Sequence, residues 1–353
     1  MLRMKRPLPD VQEHGELELR DFPVAAAWSP TQPVLAVALS KGRVVLIDAV
    51  QSRVLHDWQA HGDSLQKLVW HPQGMLLSTT DQRSNIKHWS LTAANGSVNE
   101  AAAWHSTNTW IEACMWRPDG QFLAVASGKQ CDVFDAKGDL AQTLTFPHSA
   151  IADVAWNPRG MKLALSGYQG VDLYSGIGKT LRRRFLPWAG ALQNLSWSPN
   201  GKILSACRQD NALHFWRVQT GKHAAMSGYP TKPRALAWSS DSRYLVTGGS
   251  PSVITWTFAQ GGPEGKAPVE LQFHLEPVSA VAVDARQHYV AAGCRAQRIS
   301  LWESPVAALP FFILDMKDAV EFVGWQAQSD LCSWLAALDR SGHLGLWKVN
   351  RPA

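Results

Sequence analysis

The sequence predicts an all-β protein built from repeated antiparallel sheets of four strands each. One observation is the stretch LQNLSWSPNGKILSACRQDNALHFWRV at residues 192–218, where apolar and polar residues alternate and turn residues separate the runs. Such alternation is typical of half-buried strands joined by tight turns. The other observation is that this pattern recurs eight times along 353 residues. A closed repeat architecture can exceed the usual size of a domain, so the whole length fits one such fold.

The first strand of nearly every copy ends in Trp, and a tight turn follows. Pro early in this turn presets φ, and Gly late in it supplies a positive φ at little steric cost. The last three copies lack both residues, so their hairpins are expected to be less regular. The first-strand anchors, spaced 40 to 46 residues apart, are Trp28, Trp70, Trp116, Trp156, Trp197, Trp238, Val283 and Trp325.

A second bulky residue follows on the third strand of each copy. It lies 18 or 19 residues after the first anchor in seven copies and 22 residues after it in the eighth, which indicates a short insertion around residues 330–334. A large side chain at a fixed place on each third strand suits a face that packs against the next sheet. These residues are therefore interpreted as core: Ile47, Trp89, Phe134, Tyr174, Trp216, Trp256, Trp302 and Trp347.

Less regular segments between the copies provide a fourth, outer strand. Before the first copy stands GELELR, whose residues 16–20 have no three-strand unit in front of them. We expect this segment to be the outer strand of the last sheet, which would remove the free edges of an open array. The prediction is eight four-stranded units, with seven as the alternative. Residues 1–15 are predicted to be an N-terminal extension and residues 16–350 the repeat domain.

Over residues 16–349 the chain resembles the WD-repeat (WD40) β-propeller family. The resemblance rests on the W-x-P-x-G turns and on closing tryptophans such as those in HFWRV and LGLWKV. It implies a single closed β-propeller, with blades around a central channel and no common chemistry. Most copies lack the Asp that follows the closing Trp in the family. The resemblance gives only fragments of the family's buried His–Ser–Asp–Trp network, namely His61, His148 and His274 in the His position and Ser205, Asp210 and Trp216 in one copy.

Composition and motifs give little sign of an enzyme. There is no G-x-S-x-G, H-E-x-x-H or Walker motif, and the twelve His are dispersed, so we expect no catalytic residues, no cofactor and no metal. Five cysteines without a C-x-x-C pair are expected to be reduced and buried. The N-terminus lacks the apolar run of a signal peptide, and no stretch is long enough to span a membrane, so a cytoplasmic location is the default expectation.

The leading hypothesis is a non-catalytic scaffold that binds protein or peptide partners. In the family, the loops entering the innermost strands and the turns between second and third strands share one rim of the channel. Exposed aromatic residues among Arg are typical of protein interfaces. Some of these groups would instead pack under their own loops or pair with each other. The predicted binding residues are Lys41, Arg83, Lys129, Tyr168, Trp188, Arg208, Asp210, Tyr229, Arg295 and Arg340.

Two alternatives stay open at this point. An enzyme could use the central channel as a pocket, in which case several acids or histidines should converge on one cavity. A weak binder of anionic surfaces could use Arg182, Arg183 and Arg184. That run is similar to the paired arginines with which some propellers hold phosphoinositides, although the Gly that follows the pair there is absent. A net charge of +5 without a long basic block does not indicate a specific nucleic-acid partner. The protein is expected to be monomeric or part of a complex.

Overall fold

The computed structural model describes residues 7–91, 98–105, 110–259, 261–286, 288–327, 329 and 331–352. All regular structure among these residues is β-strand, as the alternating pattern predicts. The chain forms two compact units. The larger comprises Asp21–Asp48 and Val54–Arg234, and the smaller comprises Met1–Arg20, Ala49–Arg53 and Ala235–Ala353.

The first three sheets of the larger unit have four antiparallel strands each, in chain order. The first contains β2 (Pro23–Trp28), β3 (Val34–Leu39), β4 (Arg43–Asp48) and β5 (Arg53–Gln59). The second contains β6 (Leu65–Trp70), β7 (Leu76–Asp81), β8 (Asn85–Leu91) and β9 (Val98–His105). The third contains β10 (Ile111–Trp116), β11 (Phe122–Ser127), β12 (Gln130–Asp135) and β13 (Leu140–Thr145).

The fourth sheet of this unit has six strands. They are β14 (Asp153–Trp156), β15 (Lys162–Ser175), β16 (Arg182–Trp197), β17 (Ile203–Arg208), β18 (Leu213–Arg217) and β19 (His223–Met226).

The smaller unit contains three four-stranded sheets. The first has β20 (Leu236–Trp238), β21 (Tyr244–Thr247), β22 (Ser252–Thr257) and β23 (Val269–Gln272). The second has β24 (Val278–Val283), β25 (Val290–Cys294), β26 (Arg298–Trp302) and β27 (Phe312–Asp315). The third joins β1 (Asp10–Glu18) to β30 (His343–Asn350), β29 (Cys332–Asp339) and β28 (Val320–Ala327).

The described strands thus form seven hydrogen-bonded sheets, the arrangement of a seven-bladed β-propeller. The prediction of eight separate four-stranded blades is wrong, and seven, the alternative, matches. The reason lies in β15 and β16, which have 14 and 16 residues and run through two predicted strands each. β15 pairs with β14 through residues 163–166 and with β16 through residues 168–175. β16 pairs with β17 through residues 192–197, so the fourth and fifth copies share one sheet.

The N-terminal segment is an outer strand of the last sheet, as predicted. β1 pairs antiparallel with β30, with Glu16 opposite Gly345 and Glu18 opposite His343. The strand is longer than expected, because the pairing begins at Asp10 opposite Asn350. The predicted boundary between residues 15 and 16 therefore falls inside β1, while the division of the chain into an extension and a domain stays a prediction.

The first-strand tryptophans join consecutive copies in the larger unit. Trp70 Nε1 donates to the carbonyl of Ala27 at 2.9 Å, and Trp197 Nε1 donates to that of Ala155 at 3.0 Å. Each acceptor is the residue before the anchor of the preceding copy. A buried indole N–H needs such a partner, so these residues combine apolar packing with a fixed register between copies. The third-strand anchors Trp216 and Trp302 are fully buried.

The turns after the first strands also touch from copy to copy. Gly201 has a φ of +69°, and a Cβ placed on it would lie 2.5 Å from Asn157 Nδ2. Asn157 Nδ2 donates to the Gly201 carbonyl at 3.3 Å. Only Gly combines this backbone conformation with so close an approach. The turn after the first strand of the fifth copy therefore packs directly against the corresponding turn of the fourth copy.

Candidate functional site

The candidate site is the end of the sheets at which the second and third strands are joined. Antiparallel pairing places this turn at the same end as the segment that leads into the first strand. Tyr168 lies within β15, Trp188 lies within β16, and Tyr229 follows β19. The predicted residues on the turns or the strand ends beside them are Lys41, Arg83, Lys129, Arg208, Asp210, Arg295 and Arg340.

Several of the predicted cations are exposed and already paired with an acid. Arg83 Nε lies 2.8 Å from Asp63 Oδ2, although 74% of the Arg83 side chain is exposed. Arg340 Nε and Nη2 donate to Glu321 Oε1 at 3.0 and 2.8 Å. Exposed pairs of this kind contribute at most about 1 kcal/mol, because water competes for both charges. These guanidinium groups can therefore exchange an internal acid for an external one at little cost.

Trp188 and Arg208 form the most organised part of the predicted surface. The Arg208 guanidinium carbon lies 4.3 Å from the centre of the Trp188 ring, a cation–π geometry. Arg208 is also paired with Asp210, whose side chain is 61% exposed. Trp188 is half-buried and packs partly against the core of the fourth and fifth copies. The arrangement fixes an arginine over an aromatic ring before any ligand arrives.

The buried ring of His214 packs against Trp188. The His214 ring centre lies 3.9 Å from that of Trp188, and His214 Nε2 lies 3.1 Å from His223 Nδ1. Burial, with smaller electrostatic contributions from the neighbouring His223 and Arg208, lowers the pKa of His214 to about 3. The His214 ring is therefore neutral near pH 7. It acts as a packing surface for Trp188 and carries no charge of its own.

The remaining predicted residues are not part of this cluster. Lys129 and Tyr168 are exposed in the larger unit, where Lys129 Nζ donates to the carbonyl of Pro147 at 3.4 Å. Arg295 is exposed in the smaller unit. Tyr229 is buried, at 7% exposure, so its side chain offers little binding surface. The sequence does not distinguish Tyr229 from Trp188, because both are aromatic residues in equivalent segments.

A complete buried network in the second copy was missed at the sequence level. His61 Nδ1 lies 3.0 Å from Asp81 Oδ2, and His61 Nε2 lies 2.8 Å from Thr79 Oγ1. Trp89 Nε1 donates to the same Thr79 oxygen at 2.8 Å. One tautomer satisfies all three contacts: His61 Nδ1–H donates to Asp81, and the Thr79 hydroxyl donates to Nε2. The residue types of this network are visible in the sequence, because Thr79 stands where the family has Ser and supplies the same hydroxyl.

In the fifth copy, the three residues that match other members of this network do not form it. Asp210 is exposed and paired with Arg208, so it lies away from the buried members. Within the described residues, Ser205 Oγ and Trp216 Nε1 have no hydrogen-bond partner. The match of residue types was therefore misleading, because the acid in that turn is held by a neighbouring guanidinium.

Metal and thiol chemistry find little support in the described residues. Among them, no three His, Cys, Asp or Glu side chains are grouped closely enough to hold a metal ion. The five cysteines are free, and burial raises the pKa of both Cys114 and Cys207 to about 12, which keeps these thiols protonated. No helix that is long and apolar enough to cross a membrane occurs in the part of the chain that the structure describes.

The three consecutive arginines of β16 have different surroundings. Arg183 Nε donates to the buried Asp172 Oδ1 at 2.8 Å, and Arg184 Nη1 donates to the carbonyl of Val218 at 2.6 Å. Arg182 is exposed. Two of the three guanidinium groups thus have structural partners. Binding of anionic surfaces by this run stays a prediction.

Two family models match parts of the chain. Residues 19–73 match the model described as "Anaphase-promoting complex subunit 4 WD40 domain". Residues 186–217 match the one described as "WD domain, G-beta repeat". Among solved structures, the crystal structure of the computationally designed Ika8 protein has a TM-score of 0.77 and 16% identity, covering 95% of this chain and 99% of that chain. At this identity the likeness shows the fold alone.

Several curated proteins are similar in sequence. Telomerase protein component 1 of Rattus norvegicus is 23% identical over 353 residues, which cover 96% of this chain and 13% of that protein. WD repeat-containing protein slp1 of Schizosaccharomyces pombe is 24% identical over 271 residues, or 73% of this chain and 54% of that protein. WD repeat-containing protein 1 of Bos taurus is 30% identical over 169 residues, which cover 46% of this chain and 26% of that protein. The chain thus spans between 13% and 54% of the length of these relatives.

With the eight sequence repeats and the seven antiparallel sheets, these matches identify the chain as a member of the WD40 β-propeller family.

Proposed function

We propose that this chain is a non-catalytic scaffold that binds a protein or peptide through the predicted rim residues. Arg208 lying 4.3 Å from the centre of the Trp188 ring carries the proposal. Trp and Arg are the residue types most often found to dominate binding energy at protein interfaces. A Trp held between Arg208 and His214 loses little side-chain freedom when a partner covers it, so the cost of ordering is low.

The other predicted rim residues add exposed positive charge within each unit, taken by itself. Lys41, Arg83 and Lys129 are exposed cations on the turns of the first three copies in the larger unit. Arg295 and Arg340 have the same position in the smaller unit. Charges of this kind speed association and select a partner of complementary charge more than they raise affinity. A partner surface with acidic residues around an aromatic or aliphatic anchor fits these groups.

The two hollows described for the larger unit do not support an enzyme site in either of them. The two hollows described for the larger unit are lined by no Asp, Glu or His. General acid–base catalysis would need such groups at the reacting atoms. Binding without chemistry therefore remains the proposal, and a cytoplasmic location stays a prediction from the sequence, which shows no signal peptide, no membrane-length apolar run and no C-x-x-C pair.

The proposal is tested by quantitative affinity purification from cells of the source organism, with Arg208→Glu and Trp188→Leu as the test variants. Arg43→Ala is the matched control, because Arg43 pairs with Asp57 as Arg208 pairs with Asp210, yet lies on β4 next to an outer strand. We expect at least one co-purifying protein to fall about tenfold with both test variants and to stay unchanged with the control. Its retention by both test variants at unchanged melting temperature contradicts the proposal.

A further inference from the structure

A basic groove lies at the opposite end of the fourth and fifth copies from the predicted rim. It is a hollow of about 430 Å³ between the turns after the first strands and the turn after β18. Its lining contains four cations, Arg159, Lys162, Arg184 and Lys202, and no acidic residue. Turns after first strands and turns after second strands lie at opposite ends of an antiparallel sheet, so this groove is separate from the Trp188 surface.

Three of the four cations have no ion pair with any residue that the structure describes. Among the described residues, the side chains of Arg159, Lys162 and Lys202 have no hydrogen-bond or ion-pair partner. The Arg184 Nη1 donates to the carbonyls of Val218 and Gln219 at 2.6 and 3.4 Å, which orients the guanidinium without cancelling its charge. Cations gathered in a concave site concentrate field lines and attract anions. An unpaired cluster of this kind favours an anionic ligand.

The floor of the groove is fixed before a ligand binds. Asn157 is buried, and its amide donates to the Gly201 carbonyl at 3.3 Å, while its Oδ1 accepts the N–H of Arg159 at 3.1 Å. Asn200 Oδ1 likewise accepts the N–H of Lys202 at 3.0 Å. The two turns that carry the cations are therefore held by side-chain to main-chain bonds. Pre-organised positions reduce the entropy lost on binding.

An apolar shelf adjoins the charged groove. Met161 is 69% exposed and lines both this groove and a neighbouring hollow of about 140 Å³ that includes Ile177, Arg117 and Lys179. Exposed Met is a common feature of adaptable binding surfaces, because its side chain is flexible and polarizable. The combination suits a ligand with an aliphatic side chain beside its negative charges.

We propose that this groove binds a short acidic peptide segment whose carboxylates or phosphates meet Arg159, Lys162, Arg184 and Lys202 and whose aliphatic residue covers Met161. Arg presents a planar fork to a carboxylate or phosphate, and Lys adds a mobile point charge. Single-stranded nucleic acid is less well suited, because such binding uses aromatic platforms for the bases and no aromatic residue lines the charged groove. A volume of about 430 Å³ exceeds that of one phosphate and suits a segment of a few residues.

The test is fluorescence anisotropy with labelled peptides. The probe is an eight-residue peptide of Asp and Glu around one central Leu, compared with its Asn/Gln counterpart, with a version carrying phosphoserine and with an octamer of oligo-dT. We expect the acidic probe to bind in 50 mM salt and to weaken at least tenfold in 300 mM salt, as electrostatic contacts do. The neutral peptide should not bind, and phosphoserine in place of one acid should bind at least as well as the acid.

Matched variants separate this groove from general basicity. Lys162→Glu with Lys202→Glu should weaken the acidic probe at least tenfold. Lys232→Glu with Arg234→Glu makes the same change of net charge at exposed sites beyond the other end of β19 and should leave the affinity within twofold. Met161→Ser should weaken only peptides that contain Leu. Arg208→Glu should have no effect, so failure here and failure of the rim proposal are distinguishable. Equal loss in both double variants, stronger binding of oligo-dT, or no binding in 50 mM salt overturns the proposal.

Discussion

Thr79 shows how one hydroxyl in the core organises three other polar groups. Its Oγ1 accepts a hydrogen bond from Trp89 and contacts His61, whose other ring nitrogen contacts Asp81. Thr79, His61 and Asp81 are all buried. Networks in a low-dielectric core are favourable when every member is satisfied and costly when one is removed. The second copy thus has a buried polar network whose members depend on one another.

Replacement of Thr79 by Val should lower the free energy of unfolding by about 2–4 kcal/mol. The change keeps the shape but leaves Trp89 Nε1 and His61 Nε2 without their partner in the core. Thr255→Val is the matched control, because Thr255 is also buried and its hydroxyl has no partner among the described residues. That control should be neutral or stabilising. Urea titration of the two variants measures the difference, and equal effects would argue against the network.

At the scale of the strand, β1 covers the edge of β30 in the smaller unit. Eight residue pairs join the two strands, and Lys317 Nζ contacts Glu18 Oε1 at 2.5 Å beside them. An uncovered edge exposes a row of unpaired N–H and C=O groups and invites pairing with other chains. The N-terminal segment therefore protects a strand that is more than three hundred residues away in sequence.

Deletion of residues 1–18 should lower the melting temperature and promote aggregation, whereas deletion of residues 1–8 should do neither. The longer deletion removes β1 and exposes β30, and the shorter one ends before Asp10, where the pairing begins. Differential scanning fluorimetry and light scattering measure both effects. A longer deletion that stays monomeric with an unchanged melting temperature contradicts the protective role of β1.

The strands were largely predictable from sequence, and their connections were less so. Alternation and turn residues located the strands that end at Trp70, Trp116 and Trp197, because a half-buried strand must alternate. The continuity of β15 and β16 was not predictable in this way. The ladder there passes from one partner to the next with a register shift between Tyr168 and Gly170, where Gln169 and Gly170 have positive φ and yet the strand continues. The partner of a strand is set by contacts between distant parts of the chain, so the local alternation of apolar and polar residues does not predict it.

For the predicted rim and the basic groove, the sequence likewise gives residue types and positions but does not give the contacts between side chains. Residue type and position in the repeat placed Trp188 and Arg208 on the same predicted rim, but did not predict that the two side chains contact each other. Burial of Tyr229 depends on side chains packed around it, which a single sequence does not reveal. The basic groove joins Arg159, Arg184 and Lys202, which are up to 43 residues apart and come together only when consecutive copies stack. Only the run of arginines in β16 was conspicuous beforehand, and just one of its members lines the groove.

At the scale of the whole molecule, buried ionisable groups make stability depend on pH. Burial lowers the pKa of His214 to about 3 and is the main cause that lowers those of His88 and His274 to about 4. The unfolded chain binds protons at these positions near pH 6.5, and the folded chain does not. Their contribution is complete above pH 6.5 and is lost as the pH falls. Asp153 opposes this trend, because burial raises its pKa to about 6, so the folded state takes up one proton first.

The free energy of unfolding should therefore decrease on mild acidification. Near pH 5 the unfolded state holds three protons on these histidines and the folded state holds one on Asp153. For these four groups alone the net difference of two protons corresponds to about 3 kcal/mol per pH unit. Burial also lowers the pKa of His61 and raises that of Asp172, and these two shifts act in opposite directions on the slope. Urea titrations at pH 7, 6 and 5 measure this slope.

His214→Phe keeps an aromatic ring against Trp188 and removes one titrating group, so it should reduce the slope by about 1.4 kcal/mol per pH unit. A free energy of unfolding that stays constant from pH 7 to 5 would mean that these histidines are not held neutral in the folded protein.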